Sequence, residues 1–149
     1  MEKTITLEIL KENLLVGDRA LAIFSKTVEM AQVILKQEIV TEENKIVLEA
    51  LTARFSRRLD FFLNKLLRTV DIIEITDEGS ILDRVNRFKK RGVLDDDTDW
   101  RVLKDLRNKI AHEYIIEETD DVVHDSIKYA PVLTKAFANL KIYCKKFGV

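Results

Sequence analysis

Hydrophobic residues recur along this chain at spacings of three, four and seven, the period of an amphipathic α-helix. Leu7, Leu10, Leu14, Leu21, Phe24, Val28, Ala31 and Leu35 mark a first helix, capped by Thr4 or Thr6 and running to about Lys36. After a short connection at Gln37 to Val40, Thr41 caps a second helix from about Glu42 to Ile72, with Glu42 and Glu43 complementing its N-terminal dipole. Its apolar face is Ile46, Leu48, Leu51, Phe55, Leu59, Phe62, Leu63, Leu66 and Val70. Asp71 to Gly79 reads as a loop or a frayed helix end, although Ile72 to Ile75 has the composition of a strand. Ser80 caps a short third helix, Ile81 to about Arg91, with Leu82, Val85 and Phe88 on its buried side and Gly92 closing it. The period then resumes at Trp100 and carries through Leu103, Leu106 and Ile110 to Tyr114. A last helical region opens at Thr119-Asp120-Asp121 with Val122, Val123, Ile127 and Ala130. Pro131 is expected to kink or restart it before Leu133, Ala136, Phe137, Leu140, Tyr143 and Cys144.

These elements predict an all-α protein in one domain over residues 1–149. Composition strengthens the reading, since the chain has only 1 Pro and 4 Gly. Gly17, inside the first helix, marks close helix packing or a kink. The net charge of −1 gives no global field for nucleic acid, so any RNA contact needs a local basic groove. One cysteine, Cys144, forms no intrachain disulfide, which fits a reducing compartment. Met1 to Leu10 lacks the apolar run of a signal peptide, and no stretch reaches the roughly 20 apolar residues of a membrane span. The cytoplasm is the expected location, with no membrane partner.

Candidate chemistry gathers on the Trp100 helix. At about 100° per residue, Arg107, Ala111, Lys104, Asn108 and His112 form an arc beside its apolar stripe. That arc holds fixed cations, an amide and an imidazole around a small alanine. Trp100 to Tyr114 reads as one helix, so Tyr114 lies two turns beyond Arg107 on nearly the same line. The bland alternative is a solvated Arg107 and Lys104, with His112 hydrogen-bonded in the last turn. Arg54, Arg57, Arg58, Lys65 and Arg68 form a second basic row, either a solvated face or part of a phosphate-binding groove against the Trp100 helix. Phe55, Phe61 and Phe62 beside it are core at this spacing. Lys89-Lys90-Arg91 complements a helix C-terminus or meets a phosphate. Asp95, Asp96, Asp97 and Asp99 lack calcium-loop spacing and are better placed to cap the following helix. His124, on another helix, is structural. No Gly-rich phosphate loop or zinc-ligand set occurs, so no cofactor is expected.

The run RNKIAHEY, Arg107 to Tyr114, carries Arg, four residues, His, one residue, Tyr, with Asn108 after the arginine. It resembles the HEPN domain (higher eukaryotes and prokaryotes nucleotide-binding), and within it the HepT-like toxins. The resemblance extends from roughly Arg54 to the end and is firmest between Trp100 and Pro131. It implies a HEPN-like bundle of four to five antiparallel helices, and a homodimer in which two Arg–His faces meet in a cleft as a metal-independent RNA endonuclease, with Arg107 and His112 catalytic. It also implies a minimal nucleotidyltransferase antitoxin that in some pairs adds AMP to the tyrosine of the motif, here Tyr114. Metal-free RNA cleavage needs a base, an acid and charge stabilisation. An imidazole, titrating near 6.5, serves as base or acid, and a guanidinium offers paired donors to phosphate oxygens. One chain supplies one suitable histidine and two chains supply two. Asn108 and Lys104 are supporting candidates. The alternative is a non-catalytic subunit that binds a nucleotide or holds the nucleotidyltransferase.

Overall fold

A computed structural model of the chain describes residues 2–149. The described residues contain six α-helices and no strand: α1 (Glu2–Leu35), α2 (Glu42–Phe61), α3 (Leu67–Ile73), α4 (Ile81–Lys90), α5 (Trp100–His112) and α6 (Asp121–Cys144). A π-helical turn, Phe62–Leu66, joins α2 to α3, so the two run on as one rod. The result is an all-α helical bundle of five rods. The long rods α1, α2–α3 and α6 pack on one another, and α4 and α5 close the sides.

The caps follow local chemistry. Thr41 Oγ1 accepts the Asn44 N–H at 3.2 Å. Ser80 and Asp83 form a reciprocal capping box, Ser80 Oγ accepting from Asp83 N and Asp83 Oδ2 from Ser80 N. Gly92, at φ 75°, takes the left-handed conformation after α4. Asp99 caps α5 by accepting the Arg101 N–H, and Asp95 accepts from Thr98 N.

Several expectations need correction. The first helix starts by Glu2, and Thr6 lies inside it, donating to the Glu2 carbonyl. Residues 72–73 finish α3, so no strand forms at Ile72 to Ile75. Ile46 and Leu82 are exposed, and the buried face of α4 instead includes Arg84. α6 passes unbroken through Pro131, an exposed position between the buried Ala130 and Leu133. Losing one hydrogen bond on the solvent side does not outweigh apolar burial on the other. Asp120 stands at the α6 N-cap, but its carboxylate turns back to the Glu117 N–H at 2.8 Å.

The core is a continuous cluster led by Phe24, Phe55, Phe88, Leu48, Leu51, Leu103 and Leu140. Phe55 and Phe62 are buried and Phe61 packs against the cluster, so these aromatics are core. Gly17 marks a close approach of α1 to a side chain of α6. A Cβ there would lie 2.7 Å from Cε2 of Phe137 on α6. Helix propensity alone favours Ala over Gly by about 1 kcal/mol. Because Phe137 is itself buried, overpacking of about 1–3 kcal/mol opposes that gain. Gly17→Ala is expected to lower the thermal midpoint; an increase would show that the ring yields freely.

Asp71, on α3, is fully buried and meets three arginines. Arg84 Nε donates to Oδ2 at 3.1 Å, Arg87 Nη2 to Oδ2 at 2.8 Å, and Arg91 Nη1 to Oδ1 at 2.8 Å. Arg91 is thereby drawn out of the Lys89-Lys90-Arg91 cluster. Burial alone would push the Asp71 carboxyl up; donation from Arg87 and Arg91 outweighs it and holds the group below the usual carboxylate range. Arg84 Nη1 also donates to the Leu63 carbonyl in the π turn at 3.1 Å.

Cys144 is fully buried at the end of α6. Burial, followed by the nearby Glu74 carboxylate, pushes its thiol up to about 12. The thiolate is the reactive form. The native protein at pH 8 is therefore expected to resist iodoacetamide and to label fully in denaturant. Rapid native labelling would contradict this burial.

Candidate functional site

α5 presents Trp100, Leu103 and Leu106 to the core, with Trp100 stacked on Phe62 at 5.9 Å between ring centroids. This anchors the helix so that its other faces are open. Lys104, Arg107 and Asn108 line a groove of about 200 Å³ together with Leu59, Asp60, Leu63 and Asn64 of the α2 rod and Ile81 of α4.

Arg107 is held from across that groove. Its Nε donates to Asp60 Oδ1 and Oδ2, both at 3.2 Å, and its Nη2 to Oδ2 at 3.1 Å. The hydrogen bonds to Asp60, and the charge of that carboxylate, raise the arginine pKa further, so the guanidinium stays cationic. Nη1 has no partner among the described residues. Asn108 and Lys104 are exposed beside it.

His112 is the last residue of α5 and is exposed. Among the described residues its ring has no hydrogen-bond partner, so the last-turn bond of the bland alternative is absent. It does not line the Arg107 groove of its own chain. An offset of five residues turns it by about 140° from Arg107.

Tyr114 departs from the expectation that the helix carries it. α5 ends at His112, and Glu113 is extended at φ −88° and ψ 116°. Tyr114 is 91 % exposed, off the apolar stripe and off the Arg107 line. The cause lies two residues on, where Ile116 is buried. Drawing Ile116 into the core pulls the backbone out of the helix and leaves Tyr114 and Ile115 outside. His124 Nε2 donates to the Glu118 carbonyl at 3.0 Å and closes the same loop, a structural part as expected.

The second basic row does not face α5. Arg54, Arg57 and Arg58 line a groove against α1 with Arg19, while Lys65 and Arg68 are exposed. The site residues that periodicity missed are Asp60 and Asn64. Asp60 did leave a signal: it is the sole acid between Glu49 and Asp71, in a stretch otherwise apolar and basic.

Comparison with models of known families, with curated proteins and with solved structures finds no significant match. No described helix is long and apolar enough to cross a membrane.

Proposed function

We propose that this chain is a HEPN-like, metal-independent RNA endonuclease of the HepT type, acting in the cytoplasm as a homodimer beside a minimal nucleotidyltransferase partner. The observation that carries the reading is the free imidazole of His112 at the open end of the helix that holds Arg107 in a groove. Bases and acids in catalysis need access to the substrate. Here the ring is exposed and has no hydrogen-bond partner among the described residues.

The chemistry follows from these groups. One His112 removes the proton of the RNA 2′-hydroxyl, whose oxygen attacks phosphorus. His112 of the second chain protonates the departing 5′-oxygen, leaving a 2′,3′-cyclic phosphate. Arg107, through Nη1, stabilises charge on the non-bridging oxygens. Asp60 orients the guanidinium, and Asn108 and Lys104 hold the flanking phosphate. AMP attached to the exposed Tyr114 would bring bulk and negative charge to the mouth of this site and compete for Arg107.

A second reading is favoured by the ion pair itself. Asp60 already neutralises much of the Arg107 charge, as suits a non-catalytic subunit that releases the arginine only to a nucleotide or a partner. One experiment separates the two: incubate purified protein with RNA in EDTA, and titrate ATP in parallel. Cleavage to cyclic-phosphate ends supports the nuclease. Intact RNA with saturable ATP binding supports the second reading.

A further inference from the structure

A line of exposed apolar side chains runs along α1, separate from the Arg107 groove. Ile5, Ile9, Val16, Ile23 and Met30 are each 45–57 % exposed. From Ile9 on they stand seven apart, the repeat by which one helix receives another. From Ile5 to Met30 the line is roughly 38 Å long at 1.5 Å per residue. At its middle, Val16, Ala20 and Ile23 form one side of a groove of about 330 Å³, whose other lining residues are Arg19 from α1 and Arg54, Arg57 and Arg58 from α2.

None of these four guanidinium groups has a carboxylate within ion-pair distance among the described residues. Asp60 is paired with Arg107 and Asp18 with Lys141. Arg54 is steadied by the Thr27 hydroxyl. Arg58 Nε is buried without a partner. Burial, and then the charges of Arg57 and Arg54, push the Arg58 pKa down, as expected for cations crowded together without compensation.

We propose that this face of α1 and α2 is the docking surface for an acidic amphipathic helix of a protein partner, its apolar residues on the Ile9–Met30 line and its carboxylates in the arginine groove. Charge decides among the occupants. A second copy paired symmetrically about the groove would bring two sets of four arginines together, with like charges opposed. A nucleic acid would satisfy the arginines, but Val16, Ala20 and Ile23 offer no aromatic surface on which a base stacks. An acidic helix answers both the apolar line and the cations, and gives Arg58 the acceptor it lacks.

The test uses a fluorescein-labelled synthetic helix of about 20 residues, with Leu at the 3–4–7 positions and Glu clustered in its central turns. A twin peptide carries Gln for every Glu, and a labelled uridine oligomer serves as the nucleic-acid probe. Anisotropy should show the Glu peptide binding at least about tenfold tighter than the Gln peptide. The preference should vanish in Arg57→Gln, while Ile23→Asp should weaken both peptides. Arg57 and Ile23 are exposed, so both variants should keep the wild-type circular dichroism. Equal binding of the two peptides, or none, overturns the proposal. It is equally overturned if the uridine oligomer binds through Arg57 and displaces the Glu peptide, or if wild type sediments as a dimer that Ile23→Asp dissociates.

Discussion

His112→Ala is expected to cut RNA cleavage in EDTA by about 10²–10⁴-fold, the usual contribution of a positioned acid or base. The fold should be unchanged. The ring is exposed and has no partner among the described residues, so its removal falls in the class of surface changes worth about ±0.5 kcal/mol. Arg107→Ala should abolish cleavage too, but differently. It frees the Asp60 carboxylate to repel phosphate, so a large part of its effect should be loss of RNA binding. Mixing His112→Ala with Arg107→Ala chains gives the sharper test of a shared site. The mixed dimer keeps one His112 and one Arg107, so a site that needs both imidazoles should stay inactive. Activity regained in the mixture would show that one imidazole suffices and would overturn the two-histidine mechanism. A fully active His112→Ala protein would remove the enzymatic reading altogether.

The second large effect is on stability. Asp71→Asn keeps the shape of the side chain and removes its charge, leaving three arginines facing one another without a counter-ion. Breaking a buried ion cluster in this way costs about 3–5 kcal/mol. That is a large share of the 5–15 kcal/mol that holds a domain together. Urea unfolding should show the drop as a lower midpoint with an unchanged slope. The pH dependence has a definite sign. The folded Asp71 carboxyl is depressed, so its contribution is present above the unfolded value of about 3.9 and is lost as pH falls through the folded value. Wild type should lose stability steeply below about pH 4, and Asp71→Asn should lose less over the same range. A change under about 1 kcal/mol in the variant would show that the cluster is no more than a surface ion pair.

Much of this fold is legible in the chain because helices write their period into the sequence. The apolar residues assigned to α1 and α6 are buried or partly buried, and Thr41, Ser80 and Gly92 act where their chemistry suggests. What is not legible depends on distance. Asp71 looks like the polar end of a fraying helix until Arg84, Arg87 and Arg91 arrive 13, 16 and 20 residues later. Asp60 and Arg107 are 47 residues apart, and periodicity is silent on such pairs. Tyr114 is instructive in the other direction. The helical repeat continues through it, yet burial of Ile116 decides where the backbone goes. A local pattern yields when a neighbouring residue gains more from the core.

The π turn at Phe62–Leu66 has a bearing on which changes this protein tolerates. It lies between two carboxylates, Asp60 on the outer side of the rod, held by Arg107, and Asp71 inside, held by Arg84, Arg87 and Arg91. Deleting one residue there would restore ordinary helix and swing one carboxylate by about 100° relative to the other. Only one of the two could then keep its grip. The turn acts as a spacer of fixed length that sets the angle between the buried Asp71 and the Asp60 that pairs with Arg107. Natural variants of this chain should therefore differ here by exchange of residues, with the number between Asp60 and Asp71 held constant.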